Sequence, residues 1–195
     1  ALSSKRLRQT AHPLGLGATM LLGTLMLLVP RRFALVPMMT MACFVAPAQR
    51  VVIFGLDFNL LRVMTMFGWL RLILRQEYKG FKWKPTDAVV ILWLIVGTLA
   101  YTIQTNGAGI TERMGWIMDA GGIYFLSRML IRNWNDIRCT ILGFAALAIP
   151  CAAVFMIELA TGRNMFSVFG GVPRVTSIRQ GKLRAQGAFA HPILA

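Results

Sequence analysis

Long apolar runs separated by short basic turns make up most of this chain. Six runs have the length of a helix, and they cover residues 14–29, 33–48, 60–74, 88–101, 115–130 and 137–160. A helix that crosses a bilayer needs about 20 mostly apolar residues, within a range of about 17–25. The pattern therefore predicts an all-α fold, a polytopic bundle of about six transmembrane helices.

Turn and cap residues mark the ends of several predicted helices. Pro30 separates the first two runs, which read as a tight helical hairpin, and Pro37 lies inside the second. A membrane helix tolerates proline when neighbouring groups satisfy the freed carbonyl. Thr86 or Asp87 can cap the fourth helix. Gly162 suits the left-handed position after the sixth. The runs are therefore predicted to be separate helices with short connections.

The composition supports a membrane protein. Hydrophobic residues make up 56% of the 195 residues, and mean hydropathy is +0.62. Soluble proteins have about 45–50% apolar residues, and a chain of this size has too much surface to bury so many oily runs. We therefore expect one transmembrane domain over residues 1–195. The chain has no initiator methionine and ends in mid-pattern, which suggests the N-terminal part of a longer protein.

The net charge of +14 raises the possibility of nucleic-acid binding. The basic residues, however, form short clusters between apolar runs, as in membrane proteins. Residues 78–84 alternate aromatic side chains with lysines and superficially resemble a platform for single-stranded nucleic acid. Their place beside spanning segments favours anchoring at an anionic lipid surface. Membrane lipid, and not nucleic acid, is the expected partner.

The charged turns predict an orientation. One set of turns carries a large group of basic residues, namely Arg31, Arg32, Arg71, Arg75, Lys79, Lys82, Lys84, Arg128, Arg132 and Arg138. In the opposite set, Arg50 is offset by Asp57 and Arg113 by Glu112. Because Lys and Arg mark the cytoplasmic side, the first set should face inward. Six crossings then place the N-terminus and residues 161–191 outside, although the basic residues 5–8 oppose this and imply a translocated tail or an earlier helix.

The closing segment, residues 161–191, is predicted to be a basic loop on the outer face. It carries no carboxylate and five cations, which are Arg163, Arg174, Arg179, Lys182 and Arg184. Guanidinium groups bind phosphate oxygens through paired hydrogen bonds, and lysine adds a point charge. The expected ligand at this face is a lipid phosphate or diphosphate. A solvated basic loop is the alternative, since long loops are translocated regardless of charge.

His191 is the candidate catalytic residue of the closing segment. Pro192 follows it, which favours His191 as the N-cap of a seventh helix. A helix N-terminus favours neutral imidazole and binds anions. A neutral histidine beside several cations could act as a general base. The alternative is a capping or interfacial histidine.

Two acidic residues are candidates for a supporting role. Asp119 lies inside the fifth apolar run, where an ionisable group is a functional candidate; pairing with Arg113, or with an arginine of the closing segment, is the alternative. Glu158, near the end of the sixth run, is expected to hold Arg163. No metal cluster, phosphate-binding glycine loop or Ser-His-Asp pattern is present in the sequence, so we expect no metal and no cofactor. Three cysteines read as packing residues, namely Cys43, Cys139 and Cys151.

The run KLRAQGAFAHP, residues 182–192, resembles the O-antigen ligase and exopolysaccharide polymerase family. The family pattern of Arg, Gly, Phe and His-Pro is matched by Arg184, Gly187, Phe189, His191 and Pro192. Residues 128–132, 159–164 and 169–173 are also similar. The resemblance implies a bacterial inner-membrane enzyme of the C-type glycosyltransferase superfamily. Family members are longer, so it also implies that this chain is the N-terminal half and is inactive alone.

Members of that family transfer a glycan from undecaprenyl diphosphate to an acceptor hydroxyl at the periplasmic face, without a metal. The resemblance therefore implies a donor diphosphate held by the cations of the closing segment, with His191 as the base. Other polysaccharide assembly proteins would be partners. Two other functions stay open: a transporter or flippase for the same anionic lipid-linked glycan, and a non-catalytic scaffold of an export complex.

The orientation can be tested by cysteine labelling. We expect Gln180→Cys, in a background without other cysteines, to react with a membrane-impermeant maleimide in intact cells. Lys82→Cys is the control and should react only after lysis, because it belongs to the predicted cytoplasmic set. Labelling of position 180 only after lysis would contradict the predicted orientation.

Overall fold

A computed structural model describes residues 11–46, 49–53, 56–107, 109–179 and 181–189. Within them the chain is mostly helical. The six α-helices are α1 Pro13–Leu28, α2 Val36–Phe44, α3 Leu60–Leu74, α4 Pro85–Gln104, α5 Ile110–Leu130 and α6 Trp134–Thr161. The predicted all-α class is confirmed, and each predicted apolar run overlaps one of these helices.

Two short β-hairpins were not predicted from the sequence. Strand β1, Arg50–Ile53, pairs with β2, Leu56–Asn59, and β3, Ser177–Arg179, pairs with β4, Lys182–Arg184. Both pairs are antiparallel. Each strand has only three or four residues, too few for an alternating pattern to stand out. Short 3₁₀ turns also occur at Arg31–Phe33, Glu77–Gly80 and Met165–Phe169.

The helix boundaries differ from the predicted ones where cap chemistry decides them. Helix α2 covers Val36–Phe44 and not 33–48, so Pro37 lies in its first turn, where the missing N–H costs no hydrogen bond. Asp87 caps α4 from inside the helix by accepting a hydrogen bond from the Lys84 N–H at 2.8 Å. Gly162 follows α6 with a φ of +66°, which confirms the predicted left-handed cap.

The helix ends meet at two opposite ends of the fold. Arg71, near the end of α3, donates to the carbonyl of Val29 just after α1, so these two helices run in the same direction. Arg128, near the end of α5, pairs with Asp87 at the start of α4, so these two run in opposite directions. We call the end at which α1, α3 and α5 finish the basic end. The hairpin end is the other one, at which α6 finishes.

The apolar core lies where α1, α2, α3 and α5 meet. It is rich in methionine, an unbranched side chain that fills irregular gaps. Its buried residues are Met26, Ala34, Leu35, Met38, Met41, Val45, Leu60, Met64, Leu72, Leu126 and Leu130. Helix α4 contacts α5 and helix α6 contacts α2, so both lie at the edge of this core.

Two helices of the described chain are long and apolar enough to cross a membrane, namely α4 and α6. None of the most apolar stretch of α6 is buried, and only 11% of that of α4 is. A core helix of a soluble protein would be buried, so these exposed apolar surfaces favour association with a membrane. Helix α1 is also apolar but has 16 residues. The number of crossings stays a prediction.

A fully buried arginine joins three elements at the basic end. The Arg71 guanidinium donates to both carboxylate oxygens of Glu77, each at 2.9 Å. It also donates to the carbonyls of Met26 and of Val29, the latter at 2.7 Å. The last carbonyls of a helix have no partner within the helix and favour a nearby cation. Arg71 therefore stabilises the end of α1 and joins it to α3 and to the turn after α3.

Two further carboxylates at the basic end are also paired with arginines. Asp87 is fully buried and accepts hydrogen bonds from Arg128 at 3.1 and 3.2 Å and from the Tyr124 hydroxyl at 2.7 Å. Asp136 accepts one from Arg31 at 3.1 Å. Each pair links residues that are distant in sequence. Part of the predicted inner set of basic residues is therefore engaged inside the protein.

Removal of Arg71 should destabilise the protein strongly. Arg71→Ala leaves the Glu77 carboxylate and the Met26 carbonyl without the donor seen here, and breaking a buried pair costs about 3–5 kcal/mol of unfolding free energy. The matched control is Arg75→Ala, because exposed Arg75 also donates to Val29, at 3.4 Å, and should cost less than about 1 kcal/mol. Thermal unfolding in detergent, followed by tryptophan fluorescence, measures both. Equal unfolding temperatures would contradict the role given to Arg71.

Candidate functional site

The closing segment is a folded structure that turns back onto the end of α6. The N–H of Thr176 donates to the Gly162 carbonyl at 2.9 Å, and the N–H of Asn164 donates to the Arg174 carbonyl at 2.9 Å. A β-bridge joins Arg163 to Val175. The 3₁₀ turn at 165–169 and the hairpin of β3 and β4 complete it. The described parts of the predicted basic loop, residues 161–179 and 181–189, therefore contain defined secondary structure.

Glu158 of α6 holds the closing segment in place. Its carboxylate is fully buried. One oxygen accepts hydrogen bonds from the Thr176 hydroxyl and the Gln186 N–H, both at 2.9 Å, and the other accepts from the Gly187 N–H at 2.9 Å. The expected pairing with Arg163 is wrong, because these donors occupy the carboxylate. Hydrogen bonds to an ionised acceptor are among the strong ones, so the charge is stabilised without a cation.

Asn164 and Gly187 form a second connection within the segment. The Asn164 amide donates to the Gly187 carbonyl at 2.8 Å and accepts from the Phe166 N–H at 2.9 Å. Gly187 has a φ of +60° and lies so close to the Phe155 ring that no Cβ would fit. Only glycine meets both conditions without strain.

The described cations of the closing segment are exposed. Arg163, Arg174, Lys182 and Arg184 all face solvent, and within the described part of the chain none of them forms an ion pair with a carboxylate. Arg179 belongs to β3 and faces Lys182 across the hairpin; its side chain lies outside the described set. The segment therefore combines a rigid backbone with cations that are available to an anion.

The predicted base, His191, lies outside the described residues, so its role stays a prediction. The chain contains the same dipeptide once more, at His12 and Pro13. There the histidine is the N-cap of α1, with Nδ1 accepting a hydrogen bond from the Leu14 N–H at 3.3 Å and the proline in the first turn. The argument that placed His191 at a helix N-cap thus holds for His12.

The position of His12 was not predicted from the sequence. The His12 N–H donates to the Gln49 side chain at 2.8 Å, and buried Gln49 donates to the carbonyls of Phe169 and Gly170 at 2.9 and 3.1 Å. His12 itself packs against Gly170. The repeated His-Pro dipeptide was the available signal. His12 therefore lies beside the closing segment, to which His191 belongs.

Asp119 has a different partner from those predicted. Its carboxylate pairs with Arg62 of α3 through hydrogen bonds of 2.9 and 2.6 Å. Arg113 instead donates to the Gly97 carbonyl at 2.6 Å and stacks on Trp116 at 4.1 Å. Asp119 thus connects α5 to α3, and these contacts give it a structural role.

The chemistry available at the site is anion binding. Among the described residues, no three His, Cys, Asp or Glu side chains come together as a metal site would require. An apolar cleft of about 350 Å³ between α3, α4 and α5 is lined by residues such as Trp69, Leu94 and Gly121, and its lining contains none of the predicted site residues. The exposed cations at the end of α6 are therefore the candidate site.

Removal of the Glu158 carboxylate should release the closing segment. Glu158→Ala leaves three buried donors without an acceptor, and each unsatisfied group costs about 1–3 kcal/mol. We expect trypsin cleavage after Arg184 to be at least roughly tenfold faster, because cleavage there requires local opening. Mass spectrometry of the digested full-length protein in detergent measures it. Asp119→Ala, which removes the same charge elsewhere, should leave the rate unchanged; equal rates in both variants would contradict the role of Glu158.

Comparison with known proteins returned no match. No family model matches the sequence, and no curated protein or solved structure is similar to it at a significant level. The resemblance of residues 182–192 to the polymerase family therefore stays a prediction. The functional conclusion depends on the side chains and their contacts.

Proposed function

We propose that this chain is part of an integral-membrane transferase that acts on a glycan linked to a lipid diphosphate, at the periplasmic face of the bacterial inner membrane. One observation carries the proposal: exposed cations that have no carboxylate partner among the described residues lie on a folded segment held at the end of an apolar helix. Undecaprenyl diphosphate is the proposed carrier, in surface polysaccharide synthesis. The closing segment would bind its diphosphate.

The length of α6 supports a position of this segment at headgroup depth. Between Arg138 and Thr161 the helix has an uninterrupted run of uncharged residues except for Glu158. At 1.5 Å per residue, residues 139–160 span about 33 Å, close to the ~30 Å hydrocarbon core. Glu158 then lies near the boundary of that core, and the residues it binds lie just outside it. Lipid phosphates occupy the same depth.

The charge distribution favours a phosphate ligand. Arginine binds phosphate oxygens through two parallel hydrogen bonds and lysine supplies a compact charge. Arg184 and Lys182 lie on β4, directly before Gln186 and Gly187, whose N–H groups are bound by Glu158. Their backbone is therefore held in place before a ligand arrives. Fixed cations stabilise the charge that develops on a leaving diphosphate.

His191 is the proposed base for the acceptor. In the proposed reaction the acceptor oxygen forms a bond to the anomeric carbon while the bond from that carbon to the diphosphate breaks. The proton of the acceptor hydroxyl passes to the histidine, which must lie within ~2.6–3.2 Å or one water away. Arg184, Arg179, Arg174, Lys182 and Arg163 would take up the diphosphate charge.

The helix geometry favours a transferase over a flippase. Transporters commonly bind their substrate between discontinuous helices at the middle of the bilayer. Here α6 continues through Pro150 as one helix of 28 residues, and Pro37 lies in the first turn of α2 and not in a helix break. Neither proline therefore creates the interrupted pair that a transporter would need.

Complementation with the full-length gene tests the proposal. We expect Arg184→Ala and His191→Ala to lower surface polymer at least roughly tenfold, since loss of a single charge-stabilising donor commonly costs about 10²–10³ in rate. Arg138→Ala is the matched control, because it removes an exposed arginine from the opposite end of α6. Gel analysis of the polymer and immunoblots of the membrane fraction measure production and insertion.

The location of the accumulated donor separates the alternatives. Carrier-linked repeat units on the periplasmic side of the two variants would support a transferase. Accumulation on the cytoplasmic side would instead identify a flippase. Normal polymer in both variants would contradict the catalytic proposal and would favour a scaffold.

A further inference from the structure

The hairpin of β3 and β4 has one apolar face and one basic face. Its register pairs Ile178 with Leu183, whereas Ser177 pairs with Arg184 and Arg179 with Lys182. Cross-strand partners lie on the same face, and neighbours along a strand lie on opposite faces. Ile178 and Leu183 therefore share one face, and Lys182 and Arg184 lie on the other.

The described protein covers the apolar face only in part, and Ile178 is its most exposed residue. Ile178 is 69% exposed and Leu183 is 37% exposed. A single exposed apolar residue is common in soluble proteins. Here, however, Ile178 lies on a hairpin with three residues in each strand, and so short a hairpin has no interior of its own in which to bury it. We therefore expect another surface to cover Ile178.

The apolar face is directed toward the end of α6. The position that a Cβ would occupy at Gly162, which caps α6, lies 3.6 Å from Leu183 Cδ2. The next residues after β4, Gln186 and Gly187, are bound by Glu158 in the last turns of the helix. Exposed apolar side chains continue on α6 itself, where Ile157 is 45% exposed and Leu159 is 44% exposed. The hairpin and the last turns of α6 thus both expose apolar side chains at the same end of the fold.

We infer that the hairpin of β3 and β4 lies flat in the membrane interface, with Ile178 at the acyl-chain boundary and its basic face at phosphate depth. The inference rests on the membrane position of α6 in the proposed function, and it assigns the bilayer as the occupant of the exposed face. Apolar residues on one face and Lys or Arg on the other are the pattern of interfacial segments. Negative lipid phosphates complement the cations.

A protein partner fits these observations less well. The hairpin lies beside the end of α6, where Leu183 approaches Gly162, and α6 has the length and composition of a membrane span. The bilayer would cover both surfaces at once. In this position the Lys182 and Arg184 side chains are held at the level of a carrier diphosphate, which explains why a short hairpin carries them.

Depth-dependent fluorescence quenching tests the inference. The full-length protein, without other cysteines, is reconstituted into vesicles of phosphatidylethanolamine and phosphatidylglycerol and labelled with an NBD dye at Ile178→Cys or Ser177→Cys. Nitroxide on the lipid chains should quench the dye at position 178 roughly threefold more strongly than at 177, because neighbours along a strand face opposite sides. Aqueous iodide should show the reverse order.

Ile178 is mostly exposed, so its replacement removes little packing. Leu183→Cys gives the same readout from β4, and trypsin resistance like that of the parent shows that each variant is folded.

Equal quenching at 177 and 178, or a dye at 178 that neither lipid nitroxide nor iodide reaches, would overturn the inference; the second result would indicate a protein partner. Lipid quenching at 178 together with normal polymer in Arg184→Ala and His191→Ala would refute only the proposed function. An active enzyme with a water-exposed dye at 178 would refute only the inference.

Discussion

The buried carboxylate of Glu158 is the interaction on which the closing segment depends. It accepts hydrogen bonds from Thr176, Gln186 and Gly187, which lie before β3 and after β4. One side chain of α6 thereby holds both ends of the hairpin. Burial of an ionised group is costly unless its hydrogen bonds are satisfied, and here each oxygen has at least one donor. Release of the segment from α6 would break all three of these hydrogen bonds at once.

The two ends of the fold use carboxylates differently. At the basic end Asp87, Asp136 and Glu77 pair with arginines. These ion pairs neutralise the charges inside the protein and connect the helices. At the hairpin end the buried carboxylate of Glu158 is satisfied by N–H and hydroxyl donors. The neighbouring arginines are therefore left for an external anion. This contrast, more than the number of basic residues, distinguishes a structural end from a candidate site.

The candidate site was only partly predictable from the sequence. The cations were recognisable because Arg174, Lys182 and Arg184 lie in a long polar stretch without carboxylates. The partners of the acidic residues were not. Glu158 was expected to hold Arg163, its neighbour in sequence, and Asp119 was a candidate for a supporting role, with an ion pair to Arg113 or to an arginine of the closing segment as the alternative. In the structure Asp119 pairs with Arg62, and Glu158 accepts hydrogen bonds from residues 176–187. Only the packing of the elements brings these groups together.

The sequence by itself determined the helices, because hydrophobic runs and local cap chemistry act over a few residues. The apolar run of α6 and the left-handed cap at Gly162 are examples. The tertiary structure decided the rest. It folds the closing segment into a hairpin and places His12 beside Gly170. It also lets the Glu158 carboxylate accept hydrogen bonds from backbone N–H groups up to 29 residues away. Such contacts depend on how the chain returns to itself, which no local pattern of residues specifies.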